Sequence, residues 1–261
     1  MSTSNNKQDE QKEKEEEEGY YRLVNIPIVE AASGQELVLE GDLSIPKNAQ
    51  GVVIFAHGSG SSRHSPRNRY VAQVLQNEGI ATLLIDLLTE QEEEIDLQTR
   101  HLRFDIGLLA QRLVGATDWL TTKEEEQNLQ TIDLKVGYFG ASTGAAAALV
   151  AAAERLNIIN AVVSRGGRPD LAGIDTLQKV QASTLLIVGG NDVPVIDMNK
   201  QAYDEMCMLK EDNGNNNYNH NNKYKKKKLV IIPGATHLFE EPGKLEEVAH
   251  LAAEWFGSYL K

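Results

Sequence analysis

The chain has 261 residues, of which 41% are hydrophobic, so it is long enough to bury the core of one large domain. Its formal net charge of −12 repels nucleic acid and anionic membrane surfaces, and we expect neither as the main partner. A single cysteine, Cys207, excludes an internal disulfide and favours a reducing, cytoplasmic setting. The sequence contains neither an export signal nor a run of about 18 apolar residues, so we expect no membrane span.

Two segments differ in composition from the rest of the chain. Residues 1–18 are almost wholly polar, with seven acidic residues and three lysines, and the sequence predicts a disordered acidic tail there. Residues 211–228 combine asparagine repeats with a block of lysines, which predicts a surface loop insertion. A basic docking patch is the alternative interpretation of that block. Residues 19–261, with this insertion, are predicted to form one domain.

Short apolar runs alternate along the chain with longer amphipathic segments. Two runs, at 22–29 and 35–46, open the series as a pair of strands, and the second alternates apolar and polar residues. Six further runs are rich in Val, Ile and Leu, which is typical of strands covered on both faces of a parallel sheet. These six runs lie at 52–56, 81–86, 134–139, 159–164, 183–189 and 229–233. Helical patterns lie at 66–79, at 99–120, directly after Ser142, and at 244–260. The alternation predicts a doubly wound, mostly parallel α/β sheet with helices on both faces.

One turn between a predicted strand and a predicted helix carries a serine. Residues 140–144 read Gly-Ala-Ser-Thr-Gly and match G-x-S-x-G, in which the two glycines avoid a clash between the strand and the helix. The amides at the start of the following helix would face a negative charge that develops near Ser142. A serine that only caps this helix is the alternative interpretation.

A serine nucleophile needs a base that takes its proton and a third group that orients the base. Asp192 follows the next-to-last predicted strand and His237 follows the last one, so the chain order is Ser, Asp, His. Asp170, which follows another strand, is the main alternative acid. His57 also follows a strand, but it precedes Ser142, and we expect it to brace its loop through hydrogen bonds.

An oxyanion hole would complete such a site. The amide of Thr143, directly after the serine, would supply one donor. For the second donor we favour the amide of Ser59, with Gly60 as the alternative, because the glycines of this loop let the backbone approach the substrate.

Two arginines lie just past a predicted strand end. Arg165 and Arg168 would hold an anionic substrate group, although pairing with surface acids is the plainer interpretation. Neither a P-loop pattern nor a dinucleotide fingerprint is present. The predicted chemistry therefore uses no cofactor and no metal.

Four stretches together resemble the α/β-hydrolase superfamily, and their order and spacing are most similar to its dienelactone hydrolase-related branch. The stretches are HGSGSS (57–62), GYFGASTG (137–144), GGNDVPV (189–195) and PGATHLF (233–239). The resemblance covers residues from about 20 to the end and implies an eight-stranded, mostly parallel sheet. It also implies Ser142, Asp192 and His237 as a catalytic triad, and Ser59 and Thr143 as oxyanion donors. Dienelactone hydrolase proper has a cysteine in place of Ser142, so the dienelactone substrate is left open.

These features predict a serine hydrolase that cleaves a small ester or lactone. Acyl transfer or peptide cleavage on the same triad is one alternative, and a non-catalytic scaffold with an inherited hydrolase fold is another. The interval from 163 to 184 is too short for a cap domain, so we expect an open pocket. Some similar relatives that share SRGGRPDLAG (164–173) carry a phosphoribosyltransferase domain, which we do not expect here. Homo-oligomerisation is left open.

Overall fold

A computed structural model describes residues 19–30, 34–122, 131–208 and 226–261. The predicted tail and residues 211–225 of the predicted insertion lie outside these ranges. Eight strands form one sheet: β1 (Tyr20–Val29), β2 (Glu36–Ile45), β3 (Gly51–Ala56), β4 (Ala81–Ile85), β5 (Lys135–Ala141), β6 (Ile159–Arg165), β7 (Ser183–Gly189) and β8 (Lys227–Ile232). The described residues contain seven α-helices: α1 (Pro66–Asn77), α2 (Glu90–Thr99), α3 (Ile106–Thr121), α4 (Thr143–Glu154), α5 (Ile174–Lys179), α6 (Val193–Met208) and α7 (Lys244–Leu260).

The strand order of the sheet is β1-β2-β4-β3-β5-β6-β7-β8. Strand β2 runs antiparallel to both of its neighbours, whereas the pairs from β4 across to β8 are parallel. The order reverses beside β3, which is the place where ligands bind in open sheets of this kind. This topology confirms the predicted mostly parallel α/β sheet.

Helices cover both faces of the sheet. Alternate residues of the central strands point to opposite sides, so each of these strands packs against helices on both faces. In β5, Phe139 packs into the cluster formed with α1 and α7, where its ring centroid lies 4.9 Å from that of Phe55. Its neighbour Tyr138 belongs to the opposite cluster, formed with α3 and α4. The near-continuous apolar runs of the sequence therefore arise because these strands are buried on both faces.

The structure differs from the prediction of one helix over 99–120. Helix α3 begins only at Ile106, where the Asp105 carboxylate accepts a hydrogen bond from the Leu108 amide at 3.0 Å. Arg100 adopts a left-handed conformation with φ 56° and ends α2, which the sequence had not predicted. Strand β8 also begins earlier than predicted, at Lys227, within the interval assigned to the insertion.

The connection from β6 to β7 is short. In the continuously described stretch 131–208, it contains only a 3₁₀ turn (Pro169–Ala172) and α5, so this side of the sheet carries no large cap. None of the helices in the described ranges is both long and apolar enough to cross a bilayer.

Candidate active site

Ser142 lies in a sharp turn between β5 and α4. Its backbone has φ 51° and ψ −119°, a conformation that an L residue adopts only when its surroundings impose it. The Ser142 amide donates to the Arg165 carbonyl oxygen at 3.2 Å, and its own carbonyl accepts from the amides of Ala145 and Arg168, both at 3.1 Å. Its side chain makes no capping hydrogen bond, so the interpretation as a simple helix cap does not hold.

The glycines on either side of the serine allow close packing beneath this turn. A Cβ atom on Gly140 would lie 2.4 Å from the Cα atom of Ala145. A Cβ atom on Gly144 would lie 2.3 Å from the carbonyl oxygen of Ala56 and 2.4 Å from that of His57. Because both contacts involve backbone atoms that cannot move aside, only glycine fits at these two positions.

His237 and Asp192 form a hydrogen-bonded pair at the same edge of the sheet. The His237 Nδ1 atom lies 2.7 Å from Oδ2 of Asp192. Asp192 follows β7 directly before α6, and His237 lies in the turn after β8. Both oxygens of the alternative acid, Asp170, accept hydrogen bonds from Arg168 at 2.9 and 2.7 Å. The geometry therefore pairs the histidine with Asp192.

The turn after β6 lies against both the serine and the histidine. Gly166 has φ +51°, and a Cβ atom there would lie 3.0 Å from the carbonyl oxygen of His237 and 3.5 Å from its ring. Arg165, one residue earlier, accepts the hydrogen bond from the Ser142 amide. Among the hydrogen bonds formed within the described ranges, none joins the Ser142 hydroxyl to His237. Such bonds often form only when substrate is present.

The loop after β3 contacts the serine from the other side. A Cβ atom on Gly58 would lie 3.1 Å from Cβ of Ser142. The Ser59 amide, predicted to face the substrate, donates instead to the Thr143 hydroxyl oxygen at 2.9 Å. Gly60, the alternative donor, is exposed and has φ +71°. No sequence pattern indicates the contact between Ser59 and Thr143.

His57 braces this loop, as expected. Its Nε2 atom accepts a hydrogen bond from the Leu87 amide at 3.1 Å, so the proton is on Nδ1, which donates to the Gly58 carbonyl oxygen at 3.0 Å. Burial lowers the pKa of His57, and the ring is held neutral. A neutral ring with both nitrogens occupied takes no part in proton transfer.

A cavity of about 430 Å³ opens beside the loop and Thr143. Its apolar lining consists of Leu87, Leu88, Leu97 and Leu109. Its charged lining consists of Glu93, Asp96 and Arg103, none of which belongs to a motif of the sequence. The Arg103 guanidinium donates two hydrogen bonds to Asp96. Its Nε donates to the carboxylate, and its Nη2 donates to the main-chain carbonyl oxygen at 3.2 Å. Burial, and then the nearby Asp86 carboxylate, raise the pKa of Glu93.

Arg165 and Arg168 have different environments. Arg168 makes the surface ion pair with Asp170, which agrees with the plainer interpretation. Arg165 is 6% exposed, its Nε atom is buried without a hydrogen-bond partner, and no carboxylate within the described ranges pairs with it. Burial, together with the positive charge of Arg67, lowers the pKa of Arg165 to about 10. Arg165 is therefore a buried cation directly beside the turn that holds Ser142.

The described residues contain no group of three or more His, Cys, Asp or Glu side chains arranged to hold a metal ion. The sheet order, the strained serine between β5 and α4, and the chain order of serine, aspartate and histidine together define an α/β-hydrolase. The model of the dienelactone hydrolase family matches residues 39–258, and the chain belongs to that family.

Relatives of known sequence and structure agree with this assignment. A dienelactone hydrolase from Anabaena variabilis, known from a crystal structure, is 58% identical, covers 94% of this chain and 100% of its own, and superposes with a TM-score of 0.79. A putative phosphoribosyl transferase of Mycobacterium tuberculosis is 53% identical over 220 residues, which make up 84% of this chain and 44% of that protein. The chain thus spans less than half the length of these curated relatives.

Two more distant structures share the fold alone. Est1E from Butyrivibrio proteoclasticus is 17% identical, covers 90% of this chain and 98% of its own, and has a TM-score of 0.65. A dienelactone hydrolase-like promiscuous phosphotriesterase from metagenomic libraries is 14% identical, covers 93% and 100% of the two chains, and has a TM-score of 0.66. Membership of the dienelactone hydrolase family therefore rests on the family match and on the 58% identical structure, not on these two.

Proposed function

We propose that this protein is a serine hydrolase that cleaves a small ester or lactone. The observation that carries the proposal is the 2.7 Å contact between His237 and Asp192, at the same strand edge as the strained turn of Ser142. No step of the chemistry below needs a cofactor. The lone Cys207 fits a reducing compartment, and we infer a cytoplasmic protein.

In the proposed mechanism Ser142 Oγ attacks the carbonyl carbon of the substrate. Asp192 accepts a hydrogen bond from Nδ1 of His237, which leaves the Nε2 lone pair free to take the serine proton. The Thr143 amide, at the start of α4, stabilises the oxyanion of the tetrahedral intermediate. His237 then returns the proton to the leaving alcohol, and water hydrolyses the acyl-enzyme by the same steps in reverse order.

Arg165 favours a substrate that carries an anionic group. A buried charge without a partner costs several kcal/mol, and such charges are normally paired. The neighbouring Arg67 increases this cost because its charge has the same sign. A carboxylate on the substrate would supply the missing partner close to Ser142. Arg165 would set the preference among substrates and not the bond cleavage itself, because Ser142 would still cleave neutral esters.

Labelling with a fluorophosphonate tests the proposal. The purified full chain should be labelled at Ser142 and should release p-nitrophenol from short acyl esters. Ser142→Ala should lose both properties, whereas Ser258→Ala, which changes an exposed hydroxyl near the end of α7, should keep them. A wild type that is neither labelled nor active, or a Ser142→Ala variant equal to it, overturns the proposal. Product analysis with amine or alcohol acceptors distinguishes hydrolysis from acyl transfer.

A pair of esters tests the role of Arg165. The monomethyl ester of a dicarboxylic acid carries a free carboxylate, and the dimethyl ester of the same acid does not. Arg165→Met should lower the preference for the charged ester in kcat/KM by roughly 10-fold or more, because the charge-assisted hydrogen bonds are lost. The same measurement on Arg168→Gln decides between the two arginines. An unchanged preference in Arg165→Met contradicts the assignment.

A further inference from the structure

The contact between the Ser59 amide and the Thr143 hydroxyl lies where an oxyanion hole is expected. The Ser59 nitrogen lies 2.9 Å from Oγ1 of Thr143. Thr143 is 3% exposed, is the first residue of α4, and lines the 430 Å³ cavity. Its hydroxyl accepts the Ser59 proton, and its own proton is given to no acceptor among the described residues. Among the described residues this proton has no acceptor, and it lies directly after the nucleophile at the wall of the cavity.

An oxyanion would have to compete with the Thr143 hydroxyl for the Ser59 proton. An N–H···O hydrogen bond places the acceptor about 2.7–3.2 Å from the nitrogen, and Oγ1 already occupies that position. To free the amide, the hydroxyl would have to rotate away. Threonine is stiff about χ1, and the rotated hydroxyl would be buried without its present partner. The arrangement with the lower cost keeps the hydroxyl in place.

We propose that the side-chain hydroxyl of Thr143, rather than the amide of Ser59, is the second donor to the oxyanion. The inference rests on the proposed serine hydrolase function and refines its oxyanion hole. The amide nitrogen and the hydroxyl of Thr143 are three bonds apart, so one oxygen can accept from both. The Ser59 amide then acts through the hydroxyl, because donation to Oγ1 polarises the O–H bond and makes it a better donor. A hydrogen bond from a hydroxyl to an oxyanion is short and strong.

Two pairs of variants that differ by this hydroxyl test the proposal. Wild type and Thr143→Val have nearly the same shape, and Thr143→Ser and Thr143→Ala differ by one oxygen. In each pair we expect the member without the hydroxyl to have a kcat lower by about 10²-fold, the usual effect of removing one oxyanion donor. KM should stay within about threefold, and the rate of fluorophosphonate labelling should fall with kcat. The second pair keeps the test valid if Thr143→Val does not fold.

The outcomes separate this inference from the proposed function. If Thr143→Val and Thr143→Ala match or exceed their hydroxyl-containing partners while wild type is labelled and active, the freed Ser59 amide is the donor. The inference then fails and the serine mechanism stands. If wild type is neither labelled nor active, the proposed function fails, and the inference fails with it.

Discussion

Oδ2 of Asp192 lies 2.7 Å from Nδ1 of His237, although 45 positions separate the two residues along the chain. The carboxylate is largely buried, whereas the imidazole is more than a third exposed. A buried acceptor on one nitrogen fixes the proton there and leaves the lone pair on the other nitrogen. This relationship makes the orientation of the base testable.

Asp192→Asn is expected to lower kcat for short p-nitrophenyl esters by roughly 10³-fold to 10⁴-fold. The amide has the same shape, but it no longer holds the imidazole in the required tautomer or stabilises its charged form. The matched control is Asp170→Asn, which alters the surface pair with Arg168 and should change kcat less than about threefold. Equal losses in the two variants would contradict the pairing of His237 with Asp192.

Gly144→Ala is expected to destabilise the protein by about 2 kcal/mol or more, because its Cβ would clash with the carbonyl oxygens of Ala56 and His57. The control is Gly107→Ala in α3, where the nearest atom is 3.5 Å from the new Cβ. Gly107→Ala should leave the free energy of unfolding at the wild-type value or raise it by up to about 1 kcal/mol. Urea unfolding measures both variants, and similar stabilities would show that α4 does not need this close approach.

The sequence predicted the sheet and the pairing of Asp192 with His237 because both depend on strand ends. Parallel strands place their carboxyl ends at one edge, so residues that follow β7 and β8 meet there whatever the intervening loops do. The distinction between Arg165 and Arg168 was not predicted, because it depends on which acid each side chain reaches. Among the described residues, Asp170 is the acid that pairs with Arg168.

Helix α2 shows why the charged lining of the cavity was not predicted, although an open pocket was. Its sequence has no apolar stripe, and its single buried residue is Asp96, so hydrophobic periodicity carries no signal there. The helix is fixed by a capping box between Thr89 and Glu92 and by the contact of Asp96 with Arg103. The bond from Ser59 to Thr143 was missed for a related reason, since it depends on a side-chain rotamer that backbone patterns do not encode.

The buried His57 predicts a pH dependence of stability. Burial lowers the pKa of His57 below the ordinary value of 6.5, so the folded chain keeps the ring neutral just below that pH. In the unfolded chain the ring has its ordinary pKa and is protonated at the same pH. The unfolded state therefore binds more protons below pH 6.5, and the free energy of unfolding should fall as the pH is lowered through that value. For one proton the slope approaches about 1.4 kcal/mol per pH unit.

His57→Gln provides the comparison for this prediction. Its side-chain oxygen would still accept from the Leu87 amide, but it takes up no proton. The difference in unfolding free energy between wild type and variant should shrink as the pH falls from 8 to 5, because all other titrating groups are shared. Urea unfolding at several pH values measures this difference. A difference that stays constant over this range would show that His57 is not buried as a neutral ring.

Arg112 tests how the wall of the cavity is held. This side chain is fully buried in α3 and pairs with Glu30 at 2.8 Å and with Glu92 of α2 at 2.6 Å. Removing one member of a buried pair usually costs about 3–5 kcal/mol. Here the two glutamates left behind are partly exposed and would be hydrated, so the cost should lie at the lower end of this range. We therefore expect Arg112→Leu to lower the free energy of unfolding by about 3 kcal/mol.

The control for Arg112 is Arg155→Leu, which breaks a pair with Asp118 whose members are 30% and 47% exposed. Ion pairs at such exposure contribute at most about 1 kcal/mol. Because Glu92 belongs to the capping box of α2, Arg112→Leu should also loosen the helix that carries Glu93 and Asp96. KM for esters that fill the cavity should then rise by more than it does in Arg155→Leu. If the two variants match in both stability and KM, the buried pair does not anchor α2.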